Sequence, residues 1–361
     1  MNKFYRLLDL FSHILLIFYI FQNDALANNQ IIGVVAPKNG QYAVLGKQIF
    51  QAAQLFSKQT GNKIIEIDET CTQDNGQKIV QPLVNANAIG AIGFLCSETL
   101  EGALPEMKKA HLPVLTVSVR SRALMEDALQ NDWPFFRLAP SSEDESNYAV
   151  QMIILSWKGK KIALLEDGSL QGHELVTTIG NTLINQGIKP DVIEVFKPQQ
   201  DQQVALIKKL VKANITHVFL ASERSDVAII AHDAARLKTK MTFMMGDAIR
   251  NKDDKMPLPA GILSVCLPDY SASSSAKEVM KIFNKASLHP TGYSLPTWAA
   301  LQILVKANEN AQKIGSKTES NIAKKTFQTV LGQVTFTAGH AMQENPFRLM
   351  LWDGKNLIER D

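Results

Sequence analysis

The amino-acid sequence predicts an α/β fold in which two doubly wound blocks with parallel-type sheets follow one another. From Gln30 onwards, short β-rich runs alternate with longer helical patterns, which is typical of βαβ units. This alternation stops near residues 134–140 and then restarts. A chain of 361 residues, 45% of them hydrophobic, is long and apolar enough to bury the cores of both blocks.

The first block begins with the apolar run Ile31–Ala36, which predicts a buried strand. A helix is predicted at 46–60 because Ile49, Ala52, Ala53 and Phe56 recur on one helical face. The same reasoning predicts further strands at 63–67, 91–95 and 114–117, and helices near 76–87 and 100–110.

The second block begins at Ser142-Glu143-Asp144-Glu145, which has the Ser-x-x-Glu form of a capping box before a helix that ends at Trp157. The predicted strands follow at 161–166, 192–195, 217–221 and 241–245, and the helices at 172–185, 202–213 and 225–237. A strand at 262–267, helices at 276–285 and 297–311, and short strands at 334–336 and 347–351 complete the prediction.

Residues 1–27 predict a secretory signal peptide that is cleaved after Ala27. Lys3 and Arg6 precede an apolar run at 14–21, and Ala25-Leu26-Ala27 has the small-x-small form that signal peptidase cuts. The alternative is a membrane anchor, but a spanning helix needs about 20 apolar residues and this run is much shorter. We therefore expect a mature, soluble and exported chain from Asn28 to Asp361, with no stable membrane insertion after cleavage.

Composition and motifs exclude several functional classes. Thirty-eight Lys plus Arg against 35 Asp plus Glu leave no basic excess for a nucleic acid partner. No phosphate-binding loop is present and Gly33 stands alone after the first strand, so no nucleotide cofactor is predicted. The histidines are too widely spaced for a metal site, and Ser169 lies one position too early for a Gly-x-Ser-x-Gly elbow. We therefore do not expect an enzyme.

The three cysteines fall into two groups. Cys71 follows the predicted strand at 63–67, and Cys96 ends the strand at 91–95. If these strands are neighbours in a parallel sheet, their carboxyl ends bring the two sulfurs close enough to pair in an oxidising compartment. The alternative is two buried thiols. Cys266 lies in an apolar strand and is expected to be a buried, unpaired thiol.

Polar residues that follow the predicted strands are the candidate ligand-binding residues, because open α/β sheets bind ligands outside the carboxyl ends of their strands. They are Gln41, Tyr42, Ser97, Ser118, Arg120, Gln171, Glu223, Arg224 and Asp247. Arg120 and Asp247 are expected to come from different halves, so a cleft between the halves would present a cation on one wall and an anion on the other. That arrangement suits a zwitterion.

Several segments resemble the Leu/Ile/Val-binding proteins, which are type I periplasmic solute-binding proteins of ABC transporters. The segments are Val34-Val35-Ala36, Asn39-Gly40, Leu45-Gly46, Phe94-Leu95-Cys96-Ser97, Phe136-Arg137-Leu138-Ala139-Pro140 and Phe243-Met244-Met245-Gly246-Asp247. The resemblance covers essentially the whole mature chain. It implies two Rossmann-like lobes joined by three hinge crossovers, near 139–141, 267–269 and 336–339. Lobe 1 would comprise 28–139 plus 268–336, and lobe 2 would comprise 140–267 plus 337–361.

The resemblance also implies roles for individual residues. Ser97 matches the family serine that holds an amino-acid carboxylate, and Asp247 stands where the family has a glutamate for the ammonium group. Arg120 replaces a threonine, Ser118 lies near a main-chain contact, and Gln171 replaces an aromatic residue, as does Leu45. Arginine adds a bidentate carboxylate donor, which favours an acidic or otherwise anionic ligand.

The sequence as a whole predicts a periplasmic receptor that binds an amino acid or a related small polar or anionic solute in the inter-lobe cleft. It would deliver this ligand to an ABC transporter permease. The alternative is an exported ligand sensor or regulator of an envelope enzyme, with the same fold and no transport role. An exported α/β enzyme would need a nucleophile with a base, or a metal cluster, and the sequence shows neither.

Overall fold

The computed structural model describes residues 29–251 and 256–360, so the predicted signal peptide lies outside the described residues. The chain divides into two compact units. Unit 1 takes the described residues of Met1–Val119, Ala128–Leu138 and Glu278–Leu331. Unit 2 takes those of Arg120–Asp127, Ala139–Lys277 and Gly332–Asp361. The lobe boundaries inferred from the resemblance stay a prediction.

Both units are built from alternating strands and helices. The strands are β1 Ile31–Ala36, β2 Lys63–Asp68, β3 Ala91–Gly93, β4 Val114–Thr116, β5 Phe135–Arg137, β6 Ile162–Glu166, β7 Val192–Val195, β8 His217–Ala221, β9 Thr242–Met245, β10 Ile262–Cys266, β11 Thr326–Thr329, β12 Gly332–Thr335, β13 Arg348–Trp352 and β14 Leu357–Glu359. The helices are α1 Ala43–Thr60, α2 Gln73–Asn85, α3 Ser97–Lys109, α4 Arg122–Gln130, α5 Asp144–Ser156, α6 Leu170–Asn185, α7 Val204–Lys212, α8 Arg224–Arg236, α9 Lys277–Lys285 and α10 Ser294–Ile314.

Unit 1 contains a five-stranded sheet in the order β2-β1-β3-β4-β5, and each neighbouring pair of strands is parallel. The inner strand β1 is apolar and almost completely buried, as expected for a parallel sheet covered on both faces. Helices α1 and α10 pack together through Phe56 and Trp298, whose ring centroids lie 5.2 Å apart. Because neighbouring strands are parallel, their carboxyl ends lie together at one edge of the sheet, which is the polar edge of unit 1.

Unit 2 contains a seven-stranded sheet in the order β14-β13-β10-β9-β8-β6-β7. The five strands β6 to β10 are parallel to their neighbours, whereas β13 pairs antiparallel with β10 and with β14. The predicted parallel-type sheet is therefore confirmed for the five strands β6 to β10. The C-terminal strands add an antiparallel edge to it.

Two local predictions were wrong, and one helix was missed. The region 134–140 begins and ends with proline and was read as a break in the pattern, but it contains the fully buried strand β5. Helix α4 precedes it and was not predicted. The capping box at Ser142 is also incorrect, because the N-cap residue of α5 is Glu143 and no side-chain hydrogen bond caps the helix there. The Asp144 carboxylate accepts the Ser141 N–H at 2.6 Å, and Glu145 makes a contact elsewhere in unit 2.

The disulfide between Cys71 and Cys96 is present, and Cys266 is a free, fully buried thiol in β10. Burial raises the pKa of the Cys266 thiol to about 11. The expected adjacency of the two cysteine-bearing strands was wrong, because β1 lies between β2 and β3. The sulfurs meet because both belong to connections that leave the same edge of the sheet.

Within the two described ranges, no helix is both long and apolar enough to cross a lipid bilayer.

Replacing both cysteines of the disulfide, as in Cys71→Ser/Cys96→Ser, is expected to lower the free energy of unfolding by about 3 kcal/mol, because the crosslink closes a loop of 25 residues. Urea unfolding of the mature chain measures this change. Cys266→Ser serves as a control for thiol removal alone, and an unchanged midpoint for the double variant would contradict the prediction.

Candidate functional site

Glu69 is the main buried charge at the strand carboxyl ends of unit 1. It follows β2 directly and is only 2% exposed. Its carboxylate accepts the Leu95 N–H at 2.8 Å and the Cys96 N–H at 3.0 Å. Burial raises its pKa from 4.5 to about 7, and the two N–H bonds only partly oppose this rise. Glu69 therefore holds the chain directly before Ser97.

Ser97 is the first residue of α3 and is half-buried. It follows Cys96, so the disulfide and the Glu69 carboxylate both fix the backbone on its amino side. In addition, the Thr99 hydroxyl donates to the Thr72 carbonyl at 3.3 Å, which connects the starts of α2 and α3. The predicted carboxylate-binding serine thus lies on a rigid segment of unit 1.

Ser118 follows β4, and its hydroxyl lies 3.0 Å from the hydroxyl of Tyr293. Its N–H donates to the Thr116 hydroxyl at 3.2 Å. Tyr293 is fixed in turn, because its N–H donates to the Gln48 side-chain carbonyl at 3.0 Å. Tyr293 was not predicted, since the sequence separates it from Ser118 by 175 residues.

Tyr42 is 41% exposed and forms the N-cap position of α1. No side-chain hydrogen bond caps this helix. The Tyr42 ring is therefore available at the same edge of unit 1 as Ser97, although the structure places no direct contact between the two.

In unit 2, the segment after β9 is held by the carboxylate of Glu145. This side chain accepts the Asp247 N–H at 2.9 Å. A Cβ atom at Gly246 would lie 2.1 Å from Glu145 Oε1, so only glycine leaves room for this contact. Burial raises the pKa of Glu145 from 4.5 to about 7, and the nearby charge of Asp247 adds to this effect.

Asp247 already has partners within unit 2. Its Oδ1 accepts the Leu267 N–H at 3.0 Å and lies 3.6 Å from Arg250 Nε. Arg250 also donates to the Leu267 carbonyl. The residue predicted to hold a ligand ammonium group therefore also anchors the start of the segment after β10.

The expectation that Arg120 and Asp247 come from different halves was wrong. Arg120 groups with unit 2, as Asp247 does. Within unit 2, Arg122 of the same segment pairs with Glu143 at 3.0 Å. The positive charge of Arg120 also lowers the pKa of Glu145, against the larger effect of burial. Arg120, Glu145 and Asp247 therefore form one charged group in unit 2.

The remaining candidates occupy helix starts of unit 2. Gln171 is exposed in the first turn of α6, and Glu223 is exposed at the N-cap position of α8. The Asn251 side chain donates to Glu223 at 2.9 Å. Arg224 has a structural role, since it donates to the Ile249 carbonyl at 2.7 Å and its guanidinium lies 4.4 Å from the Trp352 ring centre.

Among the residues that the structure describes, no group of three or more His, Cys, Asp or Glu side chains is placed to hold a metal ion. The arrangement instead offers hydroxyl donors in unit 1 and a cation beside two carboxylates in unit 2. Groups of this kind can form hydrogen bonds and ion pairs with a small polar molecule.

The fold and these polar edges define a protein of the solute-binding class. The sequence model of the periplasmic binding protein family matches residues 30–356. The chain therefore belongs to the periplasmic binding protein family. The resemblance to the Leu/Ile/Val-binding proteins and the predicted type I fold are confirmed.

The individual relatives are distant but span nearly the whole chain. A "Leu/Ile/Val-binding protein homolog 1" from Brucella suis is 24% identical over 91% of this chain and 91% of its own. A substrate-binding protein of a branched-chain amino acid transporter from Streptococcus pneumoniae, solved with isoleucine, has a TM-score of 0.63 at 15% identity, covering 92% of this chain and 100% of that one. A solute-binding protein from Rhodopseudomonas palustris, solved with p-hydroxybenzoic acid, has a TM-score of 0.66 at 15% identity, covering 92% and 95%.

The buried Glu69 carboxyl predicts a specific pH dependence of stability. Its pKa of about 7 lies above the 4.5 of an exposed glutamate, so between these values the folded chain binds more protons than the unfolded chain. The free energy of unfolding therefore falls as the pH rises from about 5 to about 8. A shift of this size corresponds to roughly 3 kcal/mol.

Glu69→Gln carries no titrating group, so its stability is expected to fall less than that of the wild type over this pH range. Glu145 still contributes its own fall in both proteins. Urea unfolding at pH 5 and pH 8 measures the difference, with Glu101→Gln, at an exposed position of α3, as the matched control. Equal pH dependence in Glu69→Gln and the wild type would show that Glu69 is ionised normally.

Proposed function

We propose that this chain is the exported solute-binding component of an ABC importer, which captures a small carboxylic acid in the periplasm and delivers it to a permease. The observation that carries this proposal is the family match over residues 30–356, together with the division of the chain into two α/β units. The relatives are ABC transporter proteins, which favours transport over the sensor or regulator alternative.

The shared chemistry of the relatives' ligands supports the ligand class. Isoleucine and p-hydroxybenzoic acid differ in size, aromaticity and amino group, but both carry a carboxylate. In this chain, we propose that Ser97 and Arg120 bind this carboxylate. A guanidinium gives two parallel, charge-assisted bonds, so it contributes more than a serine hydroxyl. The predicted inter-lobe cleft remains the proposed place of binding.

The proposed polar part of the site also includes Tyr42, Ser118, Gln171 and Glu223. Ser118 and Tyr293 share a hydroxyl pair that can accept or donate, so they would bind a ligand amide or hydroxyl group. Gln171 and Glu223 are exposed at helix starts, where an amide and a carboxylate would select polar over apolar substituents.

We further propose that Glu145 shares the ammonium-binding role with Asp247. Asp247 already binds the Leu267 N–H and lies near Arg250, whereas Glu145 accepts one N–H bond and has a pKa of about 7. A ligand ammonium group beside Glu145 would favour its ionised form. Binding of an amino acid near pH 7 is therefore expected to release protons, while binding of the deaminated acid is not.

Calorimetry tests these roles with one α-amino acid that stabilises the mature chain in a thermal-shift screen, and with its deaminated analogue. Arg120→Ala is expected to weaken the binding of both ligands by about 1.5–3 kcal/mol, or roughly tenfold to over a hundredfold in affinity. Ser97→Ala should cost about 1 kcal/mol for both. Asp247→Asn and Glu145→Gln should lower mainly the affinity for the amino acid. Measuring the binding enthalpy in buffers of different ionisation enthalpy gives the number of protons released, and Glu145→Gln should abolish this release.

Arg236→Ala is the matched control, because this arginine is exposed and pairs with Asp233 on its own helix. Arg120→Ala that leaves both affinities intact would contradict the carboxylate role. If Asp247→Asn and Glu145→Gln lower the affinity for both ligands equally, this would contradict the proposal that these two residues bind the ammonium group. A thermal-shift screen of amino acids, hydroxybenzoates and other organic acids without a single hit would count against the transport proposal itself.

A further inference from the structure

Unit 2 carries an unusual concentration of positive charge at the edge of its sheet opposite Glu145 and Asp247. Helices that connect parallel strands run antiparallel to them, so the C-termini of α5 to α8 meet at the amino ends of β6 to β9. The four helix-to-strand connections, taken here with the last residues of the helices before them, are residues 155–161, 184–191, 208–216 and 236–241. We call these connections together the amino-end face of unit 2.

The amino-end face holds ten cationic side chains and one carboxylate, in a chain whose net charge is only +3. Three of these cations are neutralised by ion pairs, namely Lys161 with Asp191, Lys209 with Glu194, and Arg236 with Asp233. The other seven are exposed and belong to no ion pair among the described residues; they are Lys158, Lys160, Lys189, Lys208, Lys212, Lys238 and Lys240.

Helix C-termini attract cations through their dipoles, which accounts for some lysines at any such edge. Unit 1 provides the comparison. Its corresponding connections, residues 57–63, 83–91, 106–114 and 129–135, hold four lysines and two carboxylates. The helix dipole is common to both units, so it does not explain the excess in unit 2.

The face also exposes one large apolar side chain at the end of each of its four helices. Leu155 is 69% exposed, Ile184 49%, Val211 48% and Leu237 37%. Val211 and Leu237 line a shallow groove together with Lys208, Lys238 and Lys240. The apolar groups are therefore surrounded by ammonium groups on flexible stems.

We propose that the amino-end face of unit 2 binds the surface of an anionic lipid membrane. Lysines interspersed with exposed aliphatic groups fit the headgroup region of such a surface, where the charges meet phosphate and the aliphatic groups reach the acyl boundary. An acidic protein partner is less well matched, because protein interfaces are depleted in lysine and enriched in aromatic residues and arginine. The contact is peripheral and differs from insertion. It would keep a receptor near its membrane.

Vesicle co-sedimentation tests this proposal with chain 28–361, because the apolar leader would itself enter lipid. We expect binding at low salt to phosphatidylcholine vesicles that contain about one-third phosphatidylglycerol, and none to pure phosphatidylcholine. Each lysine at an anionic surface contributes roughly fivefold in binding constant. Lys208→Glu/Lys238→Glu/Lys240→Glu is therefore expected to weaken binding at least tenfold.

The control Lys58→Glu/Lys63→Glu/Lys78→Glu makes the same change in net charge on exposed residues of unit 1 and should bind vesicles like the wild type. Circular dichroism and urea unfolding verify that both variants fold. Three results would overturn the proposal: no binding of the wild type to anionic vesicles, equal binding to neutral vesicles, or equal losses in the two triple variants. If the chain does not bind vesicles but does bind an acidic protein, the lipid proposal is wrong and the face binds a protein partner.

Discussion

Both units depend on the same interaction, in which a buried carboxylate accepts main-chain N–H groups at the carboxyl end of a parallel sheet. Backbone groups that leave a sheet lose their ladder partners, and burying them without an acceptor is costly. Glu69 supplies that acceptor to Leu95 and Cys96 in unit 1, and Glu145 supplies it to Asp247 in unit 2. Each carboxylate is desolvated and has a pKa raised to about 7. The loops that carry the candidate ligand groups are therefore fixed by groups that themselves resist ionisation.

Most of the strands could be predicted because their sequences are apolar runs, and burial on both faces of a parallel sheet requires such runs. Strand β5 was missed because Pro134 and Pro140, which flank it, were read as a break between the two blocks. The antiparallel edge was not foreseen, since strand direction depends on how the chain returns to β10 and not on local composition. The pairing of Cys71 with Cys96 was predicted, but the assumed neighbourhood of their strands was not correct, because β1 separates them.

Some residues of the candidate site could be predicted from the sequence and others could not. A position directly after a predicted strand can be recognised in a sequence, and this rule identified Ser97, Ser118 and Asp247. Glu69 follows β2 and satisfies the same rule, so it could have been found. Glu145 could not, because its partner Asp247 lies 102 residues away and its spacing from Ser142 imitates a helix cap. Arg120 was placed in the wrong half because its position after β4 indicated unit 1, whereas the segment 120–127 groups with unit 2.

The antiparallel edge of unit 2 has a consequence for biosynthesis. The five strands of the sheet in unit 1 all lie between Ile31 and Arg137, so all of them are synthesised before the first strand of unit 2. Unit 2 places β13 against β10 and β14 against β13, and helices α9 and α10 lie between β10 and these two strands in the sequence. Until β13 is made, β10 is an edge strand with unpaired main-chain groups. The order of synthesis therefore completes the sheet of unit 1 well before the sheet of unit 2.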